Sequence, residues 1–101
     1  MNMNIQALMK EAKKMQADLE KTQKELDKTE YTGESSLVSV VLGGNLKLKS
    51  VKINLEDGLE KDDAEMLEDM VLIAVNDAIN KLNADKEKKL GKYGQGLSGL
   101  M

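Results

Sequence analysis

With 101 residues and a mass of 11.1 kDa, the chain is one domain's worth of polypeptide. It is 41% hydrophobic and 33% charged, the balance of a folded protein rather than a disordered one. Cys and His are both absent, which excludes a disulfide framework, the usual zinc sites and a nucleophile working with a histidine base. Phe and Trp are absent too, and Tyr31 and Tyr93 are the only aromatics, too few for a sheet that stacks unpaired bases. All 15 cations are Lys, so the side chain that most often reads guanine bidentately is missing.

The formal charge of −3 conceals a segregation. Residues 56–69 carry eight acids against Lys61, and the rest of the chain is net basic. A polyanionic partner is therefore compatible with the composition, and the placement of the lysines decides the matter. Asn2, Asn4, Gln6 and Lys10 interrupt any apolar run near the N-terminus, so no secretory leader is expected. The longest apolar run, Met70 to Val75, is far too short to span a membrane. The expected location is cytoplasmic.

A long helix is predicted first, over residues 3–29. Ile5, Leu8, Ala12, Met15, Leu19, Thr22 and Leu26 follow one another at alternating spacings of three and four, a heptad seam. A small domain cannot cover a helix of about 40 Å with its own residues. A second copy is the simplest cover, and a tight homodimer is expected, with the sheet or the second helix at its centre. Opposite the seam lie Lys10, Lys14, Ala17, Lys21, Lys24 and Lys28, and the acids Glu11, Asp18 and Glu25 form a neighbouring flank.

Three strands come next. Residues 30–35 read as a short strand after the helix stops, and Leu37 to Leu42 as a clear one, with five of six residues apolar. Gly43-Gly44-Asn45 is expected to turn the chain through cheap positive φ angles. From Leu46 to Leu55 Lys alternates with apolar residues, and the parity slips at Ser50-Val51, which a bulge near Ser50 would explain.

The second long helix is predicted to begin at Asp62 or Asp63 as cap, with Glu65, Glu68 and Asp69 near its positive end. From Met66 to Leu82, 11 of 17 residues are apolar, and Met70–Val75 is apolar all round, hence expected to be buried on every side. Lys81, Lys86, Lys88 and Lys89 crowd the polar end of this helix. Residues 91–101 contain four glycines and are expected to form a flexible Gly-rich tail, leaving 1–90 as the single domain. The acidic block lacks the spacing of a calcium loop, so no metal site is expected. Asn76 and Asp77 are read as structural.

The ordered set Leu8-Met9-Lys10, Lys14-Met15-Gln16, Thr32-Gly33-Glu34-Ser35, Leu67-Glu68-Asp69-Met70 and Asn76-Asp77-Ala78 resembles the YbaB/EbfC family of small bacterial, nucleoid-associated, DNA-binding proteins. The chain departs from the family pattern in lacking a Gly run after Gly-Glu-Ser, a Pro in the tail and any Arg. The resemblance implies an α+β fold with a long N-terminal helix, a three-stranded antiparallel sheet and a second long helix. It also implies a homodimer whose helical arms project, double-stranded DNA as partner and a role in nucleoid organisation and gene regulation.

The lysines suit phosphate contacts. The expected DNA-binding residues are Lys10, Lys14, Lys21, Lys24 and Lys28 on the first helix, with Lys81, Lys86, Lys88 and Lys89 on the second. Neither a catalytic pair nor a cofactor, metal or small-molecule substrate is expected, and no membrane partner. The alternative is a homodimeric protein-interaction module in which the lysines serve only solubility.

Overall fold

In the computed structural model, described for residues 4–55, 58 and 60–98, and without the side chains of 92–98, the chain is α+β. Helix α1 spans Ile5–Lys28 and is followed by strands β1 (Glu30–Ser35), β2 (Val38–Gly43) and β3 (Leu48–Ile53). A short 3-10 turn (Lys61–Asp63) then leads into helix α2 (Ala64–Ser98). The sheet is antiparallel, in the order β1-β2-β3.

Helix α1 begins where the Asn4 carboxamide oxygen accepts from the Gln6 N–H at 3.1 Å and the Ala7 N–H at 3.4 Å. It ends at Thr29, whose hydroxyl donates to the Glu25 carbonyl at 2.8 Å while its backbone turns extended. Between these caps no Gly or Pro interrupts a run of good helix formers.

The core lies between α2 and one face of the sheet. Tyr31 on β1, Val38, Val40 and Leu42 on β2, and Ala74, Ala78 and Leu82 on α2 are all buried. Cross-strand partners share a face, so Val40 opposite Val51, Val38 opposite Ile53 and Leu42 opposite Leu48 extend that apolar face onto β3. Helix α2, however, packs on β1 and β2. Leu48, Val51 and Ile53 consequently remain exposed.

Gly33 explains why α2 settles on β1. A Cβ at this position would fall inside the Ala74 carbonyl oxygen and 2.9 Å from the Ala78 Cβ, so only glycine lets the helix backbone lie directly on the strand. Ala74 and Ala78 supply the matching small side chains and are wholly inaccessible to solvent. Asp77 completes the joint, its carboxylate accepting from the Glu34 N–H at 3.1 Å.

Four expectations change. The turn after β2 takes its positive φ at Leu46 (65°), not at Gly43 or Gly44. Gly44 serves close approach instead: its N–H donates to the Thr29 carbonyl at 2.8 Å, and a Cβ there would collide with the Leu26 carbonyl oxygen. The bulge near Ser50 is present, with Lys49 the extra residue between the pairs Val41–Ser50 and Leu42–Leu48, and it brings Leu48 and Val51 to one face.

Asp63 does not cap α2 directly. Its carboxylate accepts from the Glu60 N–H at 3.0 Å and closes the 3-10 turn, from which α2 continues. Within the single chain Met70–Val75 is not buried all round, because the sheet covers one side only, leaving Leu72 and Ile73 exposed. Finally, α2 does not stop at Gly91 but runs to Ser98. Glycine costs a helix about 1 kcal/mol without terminating it, and an existing helix propagates cheaply through the intervening Lys, Gln and Leu. The rest of the expected tail, residues 99–101, lies outside the described residues.

The molecule measures 75 × 23 × 13 Å with a radius of gyration of 20.6 Å. A compact chain of this length would have a radius of about 13 Å. Two long helices, of 24 and 35 residues, account for the elongation. Every residue from Asn4 to Asp18 is exposed, and α1 becomes buried only at Leu26, which lies beneath the β2–β3 turn.

Candidate nucleic-acid interface

The five lysines expected on α1 are all exposed. Lys10, Lys14, Lys21, Lys24 and Lys28 recur at helical spacing on the side opposite the Ile5–Leu26 seam, a stripe of about 27 Å. That length matches several phosphates along a duplex, which carries one charge per ~1.7 Å of axis. Among the described residues, no salt bridge engages any of the five. Their ammonium groups are not committed to holding the fold together.

The lysines of α2 divide into two kinds. Lys81 donates to the Thr32 carbonyl at 2.8 Å and pairs with Asp77 at 3.3 Å, so it ties α2 to β1. Lys89 pairs with Asp85 at 3.1 Å. Lys86 and Lys88 are exposed and take part in no salt bridge among the described residues. On the hairpin, Lys49 reaches Glu30 at 3.3 Å across the outer face of the sheet.

Helix α2 is held to β1 by a part-buried contact that the sequence did not announce. The Tyr31 hydroxyl donates to the Asp85 carboxylate at 2.5 Å. Burial, reinforced by that hydrogen bond, pushes the phenol up to about 12. The same bond, with the Lys89 ammonium behind it, holds Asp85 below the usual carboxylate range. Asp77 is likewise lowered, first by the Glu34 N–H and then by Lys81. The Tyr31–Asp85 bond joins α2 to the first residues of β1, and α1 and α2 are themselves in contact.

Asp77 has the structural role expected of it, while Asn76 and Asn80 point to solvent. Among the described residues no cluster of acids is placed to hold a metal ion. Nor is any described helix long and apolar enough to cross a membrane.

A two-helix, three-strand chain with a projecting lysine-lined helix can be compared with known proteins on both pattern and length. The model of the YbaB/EbfC DNA-binding family matches residues 1–97. The chain belongs to this family. YbaB/EbfC is a DNA-binding family, not one of enzymes. A nucleoid-associated protein of Lactococcus lactis subsp. cremoris is 42% identical over 97 residues, covering 94% of this chain and 97% of the relative. One from Enterococcus faecalis is 39% identical, covering 96% and 94% respectively. One from Xylella fastidiosa is 41% identical, covering 94% and 89%. The YbaB/EbfC motifs now have physical roles: Gly33 and Ala78 let α2 lie on β1, and Asp77 pins the strand beside them.

Proposed function

We propose that the protein is a homodimeric, nucleoid-associated DNA-binding protein that grips double-stranded DNA through lysine–phosphate contacts with little sequence preference. It serves nucleoid organisation and, through it, gene regulation. The observation that carries this reading is the α1 stripe: Lys10, Lys14, Lys21, Lys24 and Lys28 are exposed, unpaired among the described residues and opposite an apolar seam. Lys86 and Lys88 add charge on α2, and Lys81 and Lys89 add to the local potential while held by their acids. Without Arg, and with so few aromatics, base edges have few readers, so affinity rests on the phosphates.

The half-covered sheet supports the homodimer. The core face continues over Leu48, Val51 and Ile53 beyond the reach of α2, and Leu72 and Ile73 on the outer side of α2 are a second exposed apolar pair. A two-fold interface that closes over these residues would complete the core.

The test is duplex binding across a salt series. Replacing Lys21, Lys24 and Lys28 by Gln keeps helix propensity nearly constant. Binding should weaken alike for unrelated duplexes, and the slope of log K against log salt should become shallower by up to about 3 per engaged protomer. A wild-type slope in this variant, with binding lost instead on changing Lys47, Lys49 and Lys52 to Gln, would move the interface to the hairpin. No duplex binding at low salt would leave the protein-interaction module.

A further inference from the structure

The lysine stripe uses one side of α1 and leaves the other unexplained. Ile5 is 69% exposed, Leu8 48% and Met15 54%, yet these residues belong to the seam whose other end, Leu26, is only 3% exposed. The seam is thus spent on the fold at its base and left open over its outer half. An apolar stripe of this kind does not suit a polyanion.

We propose that the outer half of α1 is a self-association arm: Ile5, Leu8, Ala12 and Met15 of one copy zip in parallel against the same residues of a second copy, and the two lysine stripes are thereby set back to back. The second half of this statement rests on the DNA-binding reading above. One assembly then presents phosphate-binding faces in opposite directions and holds two duplexes together.

Three features select a second copy in parallel orientation. The alternation of three and four is the repeat with which identical helices pack knobs into holes, and small Ala12 allows close approach at the centre of the open stretch. The flanks of the seam are unequal: Glu11, Asp18 and Glu25 border one side, whereas uncharged Met9, Gln16 and Gln23 border the other. In a parallel pair each acidic flank meets the neutral flank of the other copy, Glu11 beside Gln16 and Asp18 beside Gln23. An antiparallel pair would set acid against acid along one edge, a like-charge contact that costs stability. Lastly, the lysines lie opposite the seam, so closing the seam leaves them in solvent and pointing apart.

The contact is short. Ile5 to Met15 covers about 15 Å, roughly one and a half heptads, and an interface this small falls below the ~1,200 Å² of a stable free-standing one. It works when something else holds the copies near each other. A dimer closed through the sheet does so, and so does a shared duplex, each raising the effective concentration of one arm at the other.

The chain has no cysteine, so single-cysteine variants report arm pairing without background. Ala12→Cys and Met15→Cys each place a thiol on the seam, and Lys10→Cys places one on the lysine side. In a parallel zipper both seam variants should form self-disulfides under mild oxidation at least tenfold faster than Lys10→Cys. Linking of only one seam variant would indicate an antiparallel pair, and linking no faster than Lys10→Cys would indicate no arm pairing. Either result overturns the proposal.

Bridging is read by immobilising one duplex and measuring capture of a second, labelled duplex. The wild type should capture it. Leu8→Gln with Met15→Gln should bind a single duplex within about twofold of wild type and lose at least nine-tenths of the capture. Capture undiminished in that variant, or single-duplex binding without capture in the wild type, would overturn the back-to-back arrangement. If no duplex binds at all, the DNA reading fails, and the cysteine series still decides the zipper.

Discussion

The head and the arm of this protein are built from similar residue types and are stabilised in opposite ways. In the head, α2 is held on β1 by steric fit: Gly33 accepts Ala74 and Ala78, Tyr31 reaches Asp85, and Asp77 catches the Glu34 N–H. In the arm, from Asn4 to Asp18, no residue is buried, and the helix stands on its propensity and its caps. An isolated helix of this length is marginal in water, so the arm depends on its attachment or on a partner. The lysines of the α1 stripe therefore sit where they hold little of the fold together, and they can change without unfolding the head.

The contrast breaks most sharply at Gly33. Gly33→Ala forces its Cβ into the α2 backbone, which cannot yield as a flexible side chain could. We expect a loss of about 3 kcal/mol, at the upper end for overpacking, read as a fall in the denaturant midpoint. A midpoint unchanged from wild type would mean that α2 does not rest directly on β1.

A smaller effect separates the two ends of the seam. Leu26→Ala, at the buried base, should cost about 2–3 kcal/mol of stability. Met15→Ala, in the exposed half, should cost less than ~0.5 kcal/mol at concentrations too low for arm pairing, since Ala is the better helix former. Equal losses at the two positions in thermal melts would show that the chain covers its own arm.

The smallest effect is on pH dependence, and it belongs to the head alone. Asp77 and Asp85 are lowered by hydrogen bonds made in the folded state. Their contribution is present above the ordinary carboxylate value of 3.8 and is lost as pH falls through their depressed values. Tyr31 is raised from 10.0 to about 12, so its contribution is present below pH 10 and lost as pH climbs through 12. Relative to wild type, Tyr31→Phe should shed the alkaline part of the fall in melting temperature and some of the acid part. Parallel curves for the two proteins would dissociate the Tyr31–Asp85 bond from the stability of the fold.

Periodicity alone determined that α1 is a long helix with an apolar seam and a lysine face, because a repeat of three and four on good helix formers has one physical reading. The strands, the bulge beside Ser50 and the helical course of α2 up to residue 90 were legible for the same reason. What the sequence could not decide was which apolar residues the chain covers itself. Leu8 and Leu26 occupy the same seam, and Leu72 and Ala74 the same run, yet one of each pair is exposed and the other buried. That depends on where each helix meets the sheet, which a few close approaches dictate: Gly33 to Ala78 for α2, and Gly44 to the Leu26 carbonyl for α1. A glycine in the sequence looks equally suited to a turn or to a contact. Only the tertiary structure, in which Leu46 takes the positive φ and Gly44 meets the arm, tells the two apart, because steric exclusion acts between segments that local pattern does not connect.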